Sequence, residues 1–156
     1  MRVTDLYGTL GGTVYVVGTG PSMRLFDVDV LRGQPTIALN QAWRYWAGKG
    51  HAPTLGLTVH PELILEYDAY PEAGKPAVQW VTKPKPPMPL LTADDPRFYV
   101  FEQGRDDIAV VGRDDAVLYQ AQGIQATGVD LAARMGASVV VLVGVDMGHL
   151  GDDHHG

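Results

Sequence analysis

The chain predicts an α/β fold with a mostly parallel sheet. Three observations carry that prediction. Short β-branched apolar runs end in glycine or a polar residue, stretches with helical spacing lie between them, and the two kinds alternate. Runs with so few charges read as strands covered on both faces, as a parallel sheet requires.

Thr13–Val17 ("TVYVV") is the first such run and stops at Gly18. Residues 22–31 follow; Pro21 suits the first turn of a helix there, although the apolar spacing is irregular. Residues 35–39 ("PTIAL") form a second strand. Ala42, Trp43, Trp46 and Ala47 then share one helical face, with Gly48 or Gly50 as the stop. Residues 53–60 ("PTLGLTVH") read as a third strand, followed by a helix opened by Pro61, and residues 77–81 as a fourth. Residues 82–97 are too rich in proline for a helix interior or a central strand and predict an extended surface loop. "RFYVF" and "DIAVV" read as two more short strands, a hairpin or an edge. The strongest periodicity runs from Gln120 to Met135, where Ala121, Ile124, Gly128, Leu131, Ala132 and Met135 fall on one face. Gly136 is placed to cap that helix, and "SVVVLVGVD" (residues 138–146) predicts a fully buried final strand.

At 156 residues the chain fits one domain with a true core, residues 1–156, of which 147–156 form a tail. Hydrophobic residues make up 46%, yet no apolar run is long enough to span a bilayer. The opening residues lack an apolar signal core, so no leader is expected, and the absence of cysteine fits a cytoplasmic protein. It also excludes disulfides and thiolate chemistry. A net charge of −6 argues against a broad basic face for duplex nucleic acid, while leaving room for a small nucleotide pocket.

Four places could carry chemistry. Gly18-Thr19-Gly20-Pro21-Ser22 follows a strand and precedes a helical segment, the setting in which backbone N–H groups receive an anion. Met23 stands where a dinucleotide fingerprint has its third glycine, and no P-loop lysine is present, so a plain strand-to-helix corner fits equally well. Asn40 and His60 end the second and third strands; in a parallel sheet both lie on the same carboxyl edge as the glycine turn. Asn40 would alternatively cap the next helix, and His60 would sit at a helix entry. Gln125, Ala126, Thr127 and Gly128 open the strongest helix, where small residues admit either a ligand or close helix–sheet packing. In the tail, Asp146, His149, Asp152, Asp153, His154 and His155 could supply Mg²⁺ ligands or a general base, although terminal histidines can be incidental. The paired aspartates at 94–95, 106–107 and 114–115 read as solvated loop charges, and Trp43 and Trp46 as core.

Taken together, "VVGTGPSM", "IALNQAW", "TVHPELI" and "GIQATGVDLAARMGASVVVLVGVDMG" resemble, in order and spacing, the 6-hydroxymethylpterin diphosphokinase-like family of Rossmann-related proteins. They are also similar to the bacterial sialyltransferases of glycosyltransferase family 42. The resemblance extends from about Val14 to Asp146. It implies a Rossmann-like three-layer sandwich and a nucleotide-dependent transferase. Gly18, Thr19, Gly20, Pro21 and Ser22 match the turn that cradles phosphate, and Asn40 matches a nucleotide-contacting asparagine. His60 stands where the sialyltransferases have asparagine before proline. Thr127 and Gly128 match the helix start beside the nucleotide, and Asp146 the aspartate closing the last strand. The sialyltransferases place their catalytic histidine well past that strand, where this chain offers only His154 and His155.

The expected function is therefore nucleotide-binding transfer, with a nucleotide-activated sugar as donor and a small molecule or glycan as acceptor. The alternatives are Mg²⁺-dependent, diphosphokinase-like pyrophosphoryl transfer from ATP, and a non-catalytic nucleotide-binding module. The metal ligands are not fixed by the sequence, and homo-oligomerisation stays open. Arg24, Lys83 and Lys85 are the nearest cations to a phosphate.

Overall fold

The computed structural model describes residues 1–84, 95–103, 116–119 and 123–146. Its centre is a six-stranded, all-parallel sheet made of β1 (Thr13–Val17), β2 (Thr36–Leu39), β3 (Leu55–Leu57), β4 (Trp80–Thr82), β5 (Phe98–Val100) and β8 (Val139–Val143). Two further strands, β6 (Glu102–Gln103) and β7 (Val117–Leu118), pair separately. The order across the main sheet is β5-β4-β3-β2-β1-β8. Strands β2 to β5 thus step away from β1 in one direction, and the chain then returns to β1's other side. The β1/β8 boundary is where the strand order reverses.

Alternation along the strands sorts the apolar side chains into two clusters. Val14 and Val16 of β1, Ile37 and Leu39 of β2, and Val81 of β4 join Leu131, Ala132 and Met135 of α2 (Ile124–Met135). Val17, Ala38 and Trp80 belong instead with Met23, Val28, Leu31, Trp43, Trp46 and Ile64 from the β1–β4 connections. Trp43 and Trp46 are core residues, and Trp43 meets Tyr67 and Tyr70 edge-to-face at 5.1 and 5.2 Å.

Several connections differ from expectation. The continuous helix predicted over residues 22–31 is two short 3-10 helices, Pro21–Leu25 and Val28–Leu31, with Asp27 capping the second through Asp29 N–H. The irregular apolar spacing had no single face to offer a longer helix. The segment after β2 is likewise a 3-10 helix, Asn40–Trp46. Pro61 does open a helix, α1 (Glu62–Asp68). Strands three and four are shorter than read: β3 is only Leu55–Leu57, and β4 is shifted to Trp80–Thr82, so Thr82 is a buried strand residue rather than loop. β5 is an edge strand, while residues 85–94 of the proline-rich loop and 104–115, including "DIAVV", lie outside the described residues.

α2 begins at Ile124, and Gly136 at φ 110° caps it in the left-handed region, as its glycine predicted. The final strand is the clearest correction. The run predicts a strand buried throughout, but among the described residues β8 lies at the sheet edge, with Val139 and Leu142 exposed. A five-residue apolar run reports that both faces are apolar; it carries no information on how many neighbours the strand has.

Candidate functional site

The ends of β1 and β8 diverge into two loops whose backbones nearly touch. Gly18 N–H donates to Val143 O at 2.8 Å and Gly20 N–H to Gly144 O at 2.7 Å. A Cβ on Gly18 would stand 2.7 Å from Gly144 O, and one on Gly20 would run into the Asp146 carboxylate. Gly20 has φ −66°, an ordinary value for any residue, so its glycine is required by proximity and not by conformation. Gly144 is different: φ +64° puts it in the left-handed region, and Met23 packs directly beneath it. Met23 thereby fills the position where a dinucleotide fingerprint would have glycine.

Asp146 locks the turn from the other side. Its carboxylate accepts from Ser22 N–H at 2.8 Å and from Ser22 Oγ–H at 2.9 Å. The turn therefore spends most of its donors internally. Gly18 and Gly20 serve β8, Ser22 serves Asp146, and Pro21 has no N–H. Among the described residues, Thr19 holds the turn's one N–H without a hydrogen bond. The expected phosphate cradle at residues 18–22 already contains an anionic group, the Asp146 side chain.

Asn40 is the one non-glycine residue with positive φ among those described, at +51°. Asparagine tolerates that region better than most residues, and such outliers cluster at functional sites. It does not cap the following helix; it is that helix's first residue, and its Oδ1 accepts from the Thr58 hydroxyl at 2.9 Å. Thr58, fully buried, also accepts from His60 N–H at 3.0 Å. The ends of β2 and β3 are thus tied together beneath Asn40. His60 itself points outward, about half exposed, with Nδ1 3.5 Å from Glu62.

A cavity of about 170 Å³ opens at the β1/β8 boundary. Its walls come from Gly18–Gly20, Leu39 and Asn40, Ile124 and Gln125, and Gly144–Asp146. The structure therefore brings together Gly18, Thr19, Gly20, Asn40 and Asp146 as the sequence suggested, with Ser22 joined through Asp146. His60, Thr127 and Gly128 are not in its lining. Thr127 is buried and donates its hydroxyl to Tyr119 O at 2.6 Å, tying α2 to the end of β7. A Cβ on Gly128 would stand 2.9 Å from Val16 Cγ1, so that glycine serves helix–sheet packing. His154 and His155 lie outside the described residues, as do His149, Asp152 and Asp153.

Asp146 is the cavity's one ionisable side chain among the described lining residues; Arg24 and Lys83 do not line it, and Lys85 is not described. Positive potential comes instead from the start of α2, where the helix dipole's favourable end for anions meets Ile124 and Gln125. Beside this region sits a pair the sequence reading missed. Asp130 accepts from Arg134 Nε at 3.0 Å and from Tyr119 N–H at 2.9 Å, with both side chains nearly buried. Arg134 reaches on to the Tyr7 hydroxyl at 3.2 Å. The i, i+4 spacing of Asp and Arg on α2 was the available signal. Among the described residues, no group of three or more acidic or histidine side chains could hold a metal ion, and no helix is long and apolar enough to cross a membrane. Comparison with protein-family models, with curated proteins and with solved structures finds no match to this chain.

Proposed function

We propose that this chain is a nucleotide-binding α/β domain of the Rossmann-like, three-layer kind, serving a sialyltransferase-like glycosyl transfer from a nucleotide-activated sugar. One observation carries the reading. The glycine turn after β1, the left-handed Asn40 after β2, the start of α2 and Asp146 after β8 all border one cavity where the strand order reverses. Parallel sheets bind ligands at that position because the flanking loops leave in opposite directions.

The donor pattern supports one orientation of the nucleotide in this reading. Asp146 and the consumed N–H groups make the residue 18–22 turn a poor phosphate seat. The phosphate goes to the start of α2, with Thr19 N–H as a further donor. The Asp146 carboxylate then accepts from ribose hydroxyls. Asn40 offers its amide N–H₂, for which no bond is found among the described residues, to the base or sugar. A cavity of about 170 Å³ encloses one end of a nucleotide, since whole-ligand pockets start near about 300 Å³. In this reading His154 or His155 deprotonates the acceptor hydroxyl, and the protein works in the cytoplasm.

Asp146 also supports the diphosphokinase-like reading, in which a carboxylate with no lysine or arginine among the cavity's described lining residues holds Mg²⁺ against a triphosphate. Titration of the purified protein with CMP, a CMP-sugar and ATP, with and without Mg²⁺, separates the two. Metal-independent CMP binding that Asn40→Ala weakens supports the glycosyltransferase, and Mg²⁺-dependent ATP binding supports the kinase. Absence of binding to every nucleotide rejects both.

A further inference from the structure

Asn40 lines the cavity with its backbone in the left-handed region, at φ +51°. What holds its side chain comes from the neighbouring strand. Thr58 directly follows β3 and is fully buried. Its N–H donates to Val81 O at 3.1 Å, which fixes the residue against β4. Its hydroxyl oxygen accepts from His60 N–H at 3.0 Å. The single hydroxyl proton has two acceptors in reach, Asn40 Oδ1 at 2.9 Å and His60 O at 3.2 Å, and the contact to Asn40 is the shorter. Burial keeps bulk water from competing for it.

A carboxamide has two orientations of nearly the same shape and opposite chemistry. With Oδ1 toward Thr58, both Nδ2 protons are left for other partners. With the amide turned over, Nδ2 would meet Thr58 and an acceptor oxygen would face outward. Among the described residues, Nδ2 makes no hydrogen bond. The buried side-chain atoms without a partner there are Trp43 Nε1, Trp80 Nε1 and Thr82 Oγ1, so Nδ2 lies at an accessible surface. At Asn40 that surface is the cavity wall. The Asp146 carboxylate, on the same wall, accepts only.

From this geometry we infer that Thr58 is a positioning residue for the site: its buried hydroxyl holds Asn40 Oδ1 and so makes position 40 a contact that only donates. The inference rests on the nucleotide reading of the cavity and divides the ligand between two groups. Asp146, an acceptor, takes sugar hydroxyls. Asn40, a donor, takes the acceptor edge of the base, a carbonyl oxygen or an unprotonated ring nitrogen. A base edge that presents only N–H groups at that point is rejected, because two donors would face each other without an acceptor. Thr58 itself touches no ligand and acts through Asn40 alone.

Nuclear magnetic resonance of the full chain tests the Thr58 role without any nucleotide. Accepting a hydrogen bond deshields the Asn40 side-chain carbonyl carbon, so Thr58→Val should move that resonance upfield and Thr58→Ser should return it. An unmoved carbonyl carbon overturns the positioning role, as does a shift confined to the side-chain nitrogen, the mark of an amide turned over. CMP titration tests the donor. Thr58→Val should weaken CMP binding by about 2–10-fold, the range of one neutral hydrogen bond, and add nothing in an Asn40→Ala background. Thr58→Ser should bind as the unaltered chain does. Asn40→Asp keeps an oxygen for Thr58 but turns the outward donor into an acceptor, and should weaken CMP at least as much as Asn40→Ala. Undiminished CMP affinity in Thr58→Val or Asn40→Asp overturns the inference. Failure of the unaltered chain to bind CMP rejects the nucleotide reading and the base contact with it, while the carbon shift still decides what Thr58 does. If the valine variant fails to fold, Thr58→Ala removes the same hydroxyl, and Asn40→Asp tests the donor independently.

Discussion

Replacing Gly20 with alanine isolates the close approach on which the site depends. At φ −66° alanine meets no backbone strain, and the loss of unfolded-state freedom alone would stabilise the protein by about 0.4–1 kcal/mol. Against that, the new Cβ would lie 2.7 Å from Gly144 O and would strike the Asp146 carboxylate. Relieving the overlap must lengthen Gly20 N–H···Gly144 O or push Asp146 off Ser22. Overpacking of this kind costs about 1–3 kcal/mol. The two Ser22–Asp146 bonds are exposed, so each contributes at the low end of about 0.5–1.5 kcal/mol. The net expectation is a loss of about 1–2 kcal/mol, or a fall in Tm of about 2–8 °C for a domain of this size. Urea denaturation should show a lower midpoint with an unchanged slope. A double-mutant cycle with Asp146→Ala identifies the partner, because Gly20→Ala should cost at least about 0.5 kcal/mol less once the carboxylate is gone. A neutral or stabilising Gly20→Ala would refute the close-approach reasoning; additive effects in the cycle would remove Asp146 from it.

Three other substitutions probe the fold, two on α2 and one beside β5 at the far edge of the sheet. Gly128→Val puts a branched side chain where a single Cβ is already 2.9 Å from Val16 and 3.1 Å from Leu39, and should cost about 2–3 kcal/mol or more in denaturant unfolding. A change below about 0.5 kcal/mol would show that α2 can lift off the sheet without penalty. Asp130→Ala takes the carboxylate away from the nearly buried Arg134 and should destabilise by about 3–5 kcal/mol, and a loss under about 1 kcal/mol would mean Arg134 simply turns to solvent. Asp95 is held below its ordinary value of 3.8 by hydrogen bonds from the Arg97 guanidinium and backbone N–H. Because the folded-state value is the lower one, Asp95's contribution is full above about pH 4 and is lost as pH falls through the folded value. Asp95→Asn should therefore flatten the acid slope of stability, and an unchanged slope would contradict the assignment.

Local patterns disclosed the strands and the main helix, because each is set by alternation, spacing and caps within a few residues. The Pro61 helix entry and the Gly136 cap were readable for that reason. What depends on strand order was not. "VVVLV" is equally apolar at a centre or an edge, and only the return of the chain past β1 puts β8 at the outside of the described strands. The glycine turn shows the same division. Gly18 and Gly20 were recognisable as necessary, but whether they make room for a phosphate or for β8 depends on residues about 125 positions away. Asn40 carried a signal that its type alone could not resolve, since a cap and a left-handed residue favour the same side chain. Thr127 and Asp130 sat on the right helix, yet their partner Tyr119 directly follows a strand of two residues with no periodicity to announce it.

The most direct measurement is the map of backbone amide chemical shifts on titration with CMP. If the cavity at the β1/β8 boundary is the nucleotide site, the saturable shifts centre on Thr19, Asn40, Gln125 and Val145. Saturable shifts centred instead on Tyr67, Trp80 and Phe98, which line a separate cavity beside α1, would place binding elsewhere. That result, or no saturable shift at all, would contradict the assignment of this site.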